Sequence, residues 1–95
     1  MMRRAARTDD NQTAIVKALR KAGCQVFTEL AKLGYGCPDL LVYRGRCNDL
    51  FLLEVKDGAK SKSRRKLTPL QVEFKQNWPV QVVTNEIEAL RAVGL

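Results

Sequence analysis

Gly36-Cys37-Pro38-Asp39-Leu40-Leu41-Val42, followed by Leu50-Phe51-Leu52-Leu53-Glu54-Val55-Lys56, decides how this chain is read. An acid placed after a proline enters one apolar run, and Glu54-x-Lys56 closes a second. Fourteen residues separate Asp39 from Glu54, with Arg44-Gly45-Arg46 between them to turn the chain. Short continuous apolar runs of this kind are buried strands, and the second is apolar through Leu53, as a central strand would be. Alternation puts Glu54 and Lys56 on one face of that strand and Val55 on the other. Two carboxylates and an ammonium at the ends of adjacent buried strands are costly to desolvate without a partner. A divalent cation is the natural partner, because hard cations take carboxylate and carbonyl oxygen.

The flanking sequence supplies the other elements. From Asp10 to Ala22 the apolar residues Ile15, Val16, Leu19 and Ala22 fall at helical spacing, and Gly23 suits the position just past a helix end. Residues 24–30, with Val26 and Phe27, read as a first strand. Gly34 and Gly36 mark a turn. Strands follow over residues 40–43 and 50–56. Thr68-Pro69-x-Gln71 then carries an N-cap, a proline at the first helical position and a glutamine three residues after the cap. Leu70, Phe74 and Trp78 recur every four residues and predict a buried helix face that ends at Pro79. Residues 80–83 read as a fourth strand. Asn85-x-x-Glu88 caps a last helix with Ile87, Leu90 and Val93 inside, closed by Gly94. The expected order is α-β-β-β-α-β-α, an α/β chain in which helices pack on a mixed sheet.

Composition narrows the class of function. Ninety-five residues make one small domain (residues 9–95 behind a basic, poorly ordered arm at 1–8), for which a second copy is a plausible source of buried area. No run approaches the roughly 18 apolar residues that cross a bilayer. Arg3, Arg4 and Arg7 are not followed by a signal-peptide apolar segment, and Asp9 and Asp10 argue against a transit peptide. A cytoplasmic protein with no membrane partner is expected. Seventeen basic against ten acidic side chains leave a formal charge of +7, which favours a polyanion through counterion release from phosphates. Steering or solubility is the competing reading of that charge. Cys24, Cys37 and Cys47 have no metal-ligand spacing and read as free, mostly buried thiols in a reducing compartment. The chain has no histidine, which excludes Ser-His and Cys-His nucleophile pairs and argues against a structural zinc site.

Taken singly, Asp39 reads as a turn acid and Glu54-x-Lys56 as a solvated strand edge with a weak ion pair. The three together, at this spacing, are much rarer than any one alone; they resemble a nuclease signature, and that resemblance implies phosphodiester hydrolysis. That reaction needs charge neutralised at the non-bridging oxygens, an activated water and help for the leaving oxygen. Asp39 and Glu54 would ligate Mg²⁺ or Mn²⁺, with the Val55 carbonyl as a further oxygen. Lys56 would orient and help deprotonate the attacking water or stabilise the transition state.

The set resembles the PD-(D/E)xK nuclease signature. With the helix-first layout, the Gly36–Val42 segment, Glu54-Val55-Lys56 and Leu67-Thr68-Pro69-x-Gln71 followed by Trp78, it looks like the stand-alone VRR-NUC family, small proteins common in phages and prophages. The likeness spans roughly residues 8 to 93 and extends to the Fanconi-associated nuclease and, more distantly, archaeal Holliday-junction resolvases. It implies a restriction-endonuclease-like core and a Mg²⁺- or Mn²⁺-dependent endonuclease, often a homodimer, acting on branched DNA such as Holliday junctions, in a bacterial host cytoplasm if phage-encoded. Asp39, Glu54 and Lys56 match the catalytic triad. Gln71 matches a recurrent glutamine near the active site, and it also fits as the capping-box partner of Thr68.

One departure concerns the first helix, where related resolvases carry a glutamate that joins the metal site. The nearest position here is Gln12, with Asn11 beside it. Its amide oxygen could ligate a cation without bringing charge; Gln12 also fits as the capping-box partner of Asp9, and Asp9 or Asp10 could supply the acid in a shifted register. Downstream, Lys60, Lys62, Arg64, Arg65 and Lys66 follow the strand carrying Lys56 and are expected to contact the DNA backbone. Five such contacts would give a slope of log affinity on log salt of about −4.5. A solvated loop is the plainer reading. Two alternatives to a nuclease remain: a DNA-binding module that keeps the fold without turnover, and a regulatory factor that uses its basic face on an acidic partner.

Overall fold

The computed structural model describes residues 10–57 and 66–95, which fold as helices on a mixed sheet. In chain order these form α1 (Asp10–Lys21), β1 (Gln25–Phe27), a 3-10 turn (Leu30–Leu33), β2 (Leu40–Arg44), β3 (Asp49–Val55), α2 (Pro69–Asn77), β4 (Val80–Val83) and α3 (Glu86–Ala92). The basic arm and most of the basic loop expected from the sequence lie outside the described residues. The sheet has the order β1-β2-β3-β4, antiparallel as far as β3 and parallel between β3 and β4. A parallel pair needs a crossover, and α2 lies within it.

The helix ends follow their side chains. Thr68 accepts from the Gln71 amide while the Gln71 side chain accepts from the Thr68 amide, a complete capping box with Pro69 behind the cap. Asn85 caps α3 by accepting from Glu88 N–H. The Glu88 carboxylate returns not to Asn85 but to Thr84, accepting from its amide at 2.7 Å and its hydroxyl at 2.8 Å.

One face of the sheet builds the core. Leu40 and Val42 of β2, Leu53 and Val55 of β3 and Val83 of β4 pack with Ile15, Val16 and Leu19 of α1, with Ala89 of α3 and with Val93 just past its end. Arg44 locks this layer at its far end. Its Nη1 donates to the carbonyls of Val93 (3.0 Å) and Gly94 (3.1 Å), satisfying acceptors that the end of α3 leaves orphaned. Of the three thiols only Cys24 is buried, which pushes it up from the ordinary thiol range; Cys47 is exposed.

The opposite face departs from the sequence reading. Leu70 and Trp78, expected to be buried by α2, are 54% and 56% exposed, and Phe74 is only partly covered, stacked on Trp78 at 5.7 Å between ring centroids. Ile87, expected inside α3, is 63% exposed. Spacing shows that one side of a helix is apolar, but the sheet offers a wide apolar floor to α1 and α3 only. The expected first strand is also shorter, because the chain leaves β1 after Phe27 and coils into the 3-10 turn.

Candidate active site

The antiparallel register of β2 and β3 pairs Leu40 with Leu53, so the residues just before and after, Asp39 and Glu54, come together at the same end of the sheet. Pro38, fully buried, fixes the entry to β2. Asp39 Oδ2 accepts from the Val55 amide at 2.8 Å, which ties the acid of one strand to the end of the next. Leu53 and Val55 turn into the core, and alternation sends Glu54 and Lys56 to the other face.

Glu54 is 4% exposed and the single buried charged residue among those described. Burial raises its carboxyl to about 8; the neighbouring Asp39 carboxylate adds to the rise through its charge and a shared hydrogen bond, and Lys56 opposes it. Lys56 Nζ lies 3.6 Å from Glu54 Oε2.

Gln71 organises this group from α2. Its Oε1 accepts from Lys56 Nζ (3.1 Å) and from the Thr68 amide (3.0 Å), and its Nε2 donates to Glu54 Oε2 (3.0 Å). The amide orientation follows from its partners: a flipped group would set NH₂ against two donors. The capping-box reading of Gln71 is realised, and the same side chain also joins Lys56 to the buried acid.

Replacing Gln71 with Ala is expected to lower stability by about 2–3 kcal/mol, because Glu54 and Lys56 lose a partner and the Thr68 amide loses its acceptor, while the Thr68 cap itself is kept. Thr68→Ala, which removes only the cap, is expected to lose about 1 kcal/mol. Urea unfolding of both variants checks the difference. Equal losses would mean that the bonds from Gln71 to Glu54 and Lys56 contribute nothing.

Two further contacts fix Lys56. Its amide donates to the Val83 carbonyl at 3.0 Å, and its carbonyl accepts from Asn11 Nδ2 at 2.9 Å. Asn11, rather than Gln12, is the α1 side chain hydrogen-bonded to the end of β3 among the described residues. Sequence reasoning passed over it because a helix's first turn offers several polar side chains and spacing alone does not choose between neighbours. Asp9, the expected capping-box partner of Gln12, lies outside the described residues, as do Lys60, Lys62, Arg64 and Arg65. Lys66 is described and exposed, two residues before the Thr68 cap.

The loop before Asp39 meets α2 directly. Gly36 has φ +77°, and a Cβ there would overlap the Leu70 carbonyl and come within 2.9 Å of the Gln71 nitrogen. The glycine lets the backbone that leads to Asp39 rest on the backbone that carries Gln71.

Among the described residues no cluster of three or more His, Cys, Asp or Glu side chains is present. The acids at the site are Asp39 and Glu54. A buried carboxylate raised by a second carboxylate fits a hard divalent cation that keeps several waters, and does not fit a soft ion that needs a full set of protein ligands. No family model, curated protein or solved structure matches this chain.

Proposed function

We propose that the protein is a metal-dependent endonuclease of the PD-(D/E)xK type, with Asp39, Glu54 and Lys56 as its catalytic residues. The observation that carries the reading is the convergence of the three at the paired ends of β2 and β3, with Glu54 buried and bridged to Lys56 by Gln71. Asp39, Glu54 and the Val55 carbonyl would hold Mg²⁺ or Mn²⁺. When bound, the ion supplies neutralisation of phosphate charge and acidifies water at neutral pH. Lys56, held by Gln71, presents its ammonium beside the carboxylates, where it orients the attacking water or faces the charge that builds on the phosphate. Gln71 is a positioning residue in this scheme. The charge of +7 supports a nucleic-acid substrate, and Lys66 with the basic residues before it would contact the backbone.

Activity on branched DNA belongs to the proposal through the likeness to the VRR-NUC family. So does a homodimer, whose two sites would make paired incisions; a monomer by light scattering on junction DNA would remove paired incision from it. A DNA-binding module without turnover is the second reading. It is favoured by a site with two acids among the described residues and Asn11, an amide, at the first helix.

Cleavage of labelled four-way junction, splayed and linear duplex DNA in Mg²⁺, Mn²⁺ or EDTA separates the two. Metal-dependent incision that Lys56→Ala reduces by about a thousand-fold or more is the expected result. Binding without incision in either metal would support the second reading, and incision unchanged in Lys56→Ala would remove Lys56 from the mechanism.

A further inference from the structure

The turn that leads into the catalytic aspartate is built against the preference of its own sequence. The Cys37 amide donates to the Gly34 carbonyl at 3.1 Å, so Gly34–Cys37 is a four-residue turn with Tyr35 and Gly36 at its centre. Both central residues have positive φ, 59° and 77°, the sign pattern of a type I′ turn. Asn-Gly is the sequence such a turn favours, and a bulky side chain at its first central position is strained. Tyr35 nevertheless occupies that position, and it is 83% exposed, the largest exposure among the exposed large apolar and aromatic residues. A ring so open to solvent gains little from the fold.

The turn is also held firmly. Gly36 rests on the Leu70–Gln71 backbone, and Pro38, fully buried, follows two residues later. Tyr35 therefore stands on a fixed mount four residues before Asp39, adjacent to the contact with the helix that carries Gln71. An exposed aromatic ring on a held stretch of backbone, four residues before Asp39 on a chain of net charge +7, has the properties of a base-stacking platform.

We propose that Tyr35 stacks on an unpaired nucleobase of the DNA substrate close to the phosphate at the Asp39–Glu54–Lys56 site. The proposal deepens the nuclease reading and rests on it for the identity of the ligand. Stacking on an unpaired base also provides a way for the protein to prefer single-stranded or splayed DNA over continuous duplex, since a duplex keeps its bases stacked on one another. The hydroxyl plays no part.

The test uses Tyr35→Asn, which installs the favoured Asn-Gly turn and removes the ring, and Tyr35→Phe, which keeps the ring. Binding is measured in EDTA, where a metal-dependent enzyme does not turn over, with a splayed DNA that carries 2-aminopurine at successive unpaired positions. The fully paired duplex of the same length is the control. Tyr35→Asn is expected to melt at the same or a higher temperature than wild type, yet to bind the splayed DNA about five- to a hundred-fold more weakly. It should also lose the quenching of 2-aminopurine seen with wild type, while its affinity for duplex is unchanged. Tyr35→Phe is expected to match wild type in both. Undiminished splayed-DNA affinity and quenching in Tyr35→Asn would overturn the proposal, and so would equal losses on splayed and duplex DNA. Incision in Mg²⁺ is followed in parallel. Wild-type protein that binds and quenches without cutting in any metal would end the nuclease reading while leaving the stack established, whereas active wild type with an unaffected Tyr35→Asn would do the reverse.

Discussion

Replacing Glu54 with Gln is expected to abolish incision and, in the same molecule, to raise the melting temperature of the metal-free protein at pH 9. The loss of activity follows from removing one of the two acids at the site, and about a thousand-fold or more is expected. The gain in stability follows from burial. Glu54 is 4% exposed with the Asp39 carboxylate beside it, and its carboxyl is raised from 4.5 to about 8. Below 4.5 the group is protonated in both the folded and the unfolded chain, and its contribution to stability is fully present. As pH rises from 4.5 through about 8, the unfolded chain gives up the proton while the folded one retains it, so the folded state binds more protons and loses stability. The gap sets an upper limit of about 5 kcal/mol.

A glutamine of the same shape carries no proton to lose. Its oxygen accepts from Gln71 Nε2 as Glu54 does, and its NH₂ finds the Asp39 carboxylate. Melting curves in EDTA from pH 4 to pH 9 are therefore expected to slope downward for wild type and to flatten for Glu54→Gln. Added Mg²⁺ at pH 9 should stabilise wild type and leave the variant unmoved. Parallel curves for the two proteins would show that the carboxyl is not raised by its surroundings.

Gly36→Ala is expected to lose about 2–4 kcal/mol of stability and to disable the site with it. The new methyl meets two obstacles that cannot be relieved by side-chain rotation. The backbone has φ +77°, which an L side chain resists at about 1 kcal/mol, and the space is filled by the Leu70 carbonyl and the Gln71 nitrogen. Either the turn before Asp39 lifts or the first turn of α2 moves away, and in both cases Gln71 leaves its bonds to Lys56 and Glu54. Gly23→Ala is the control. It shares a positive φ, +97°, but has nothing within 4 Å of the added carbon, and so isolates the backbone contribution. Urea unfolding of both variants, with incision measured below the unfolding transition, checks the assignment. Equal losses at the two glycines would mean that the contact with α2 has no energetic role.

That Asp39, Glu54 and Lys56 come together was largely legible in the sequence, because it depends on strand arithmetic. A period of two sends Glu54 and Lys56 to one face, and a short connection between two apolar runs makes them antiparallel, which brings Asp39 level with Glu54. The capping chemistry of Thr68 and Gln71 was legible for a similar reason: it is local, and three residues suffice to write it. The helix faces were less so. Leu70, Phe74 and Trp78 have the spacing of a buried stripe, yet the stripe is open.

By itself, then, the sequence determined the order of the elements, the helix caps and the pairing of Asp39 with the Glu54-x-Lys56 strand, because each of these is set by periodicity or by contacts within a few residues. Only the tertiary structure decided that Asn11 rather than Gln12 holds the Lys56 carbonyl, that Gln71 joins Lys56 to Glu54, that Gly36 is pressed against α2 and that Arg44 caps α3. Those contacts join residues 15 to 49 positions apart, apart from the Gly36 approach, which spans a comparable length of chain. A polar side chain carries no mark of its distant partner, and the choice among neighbours is made when the sheet and helices close on one another.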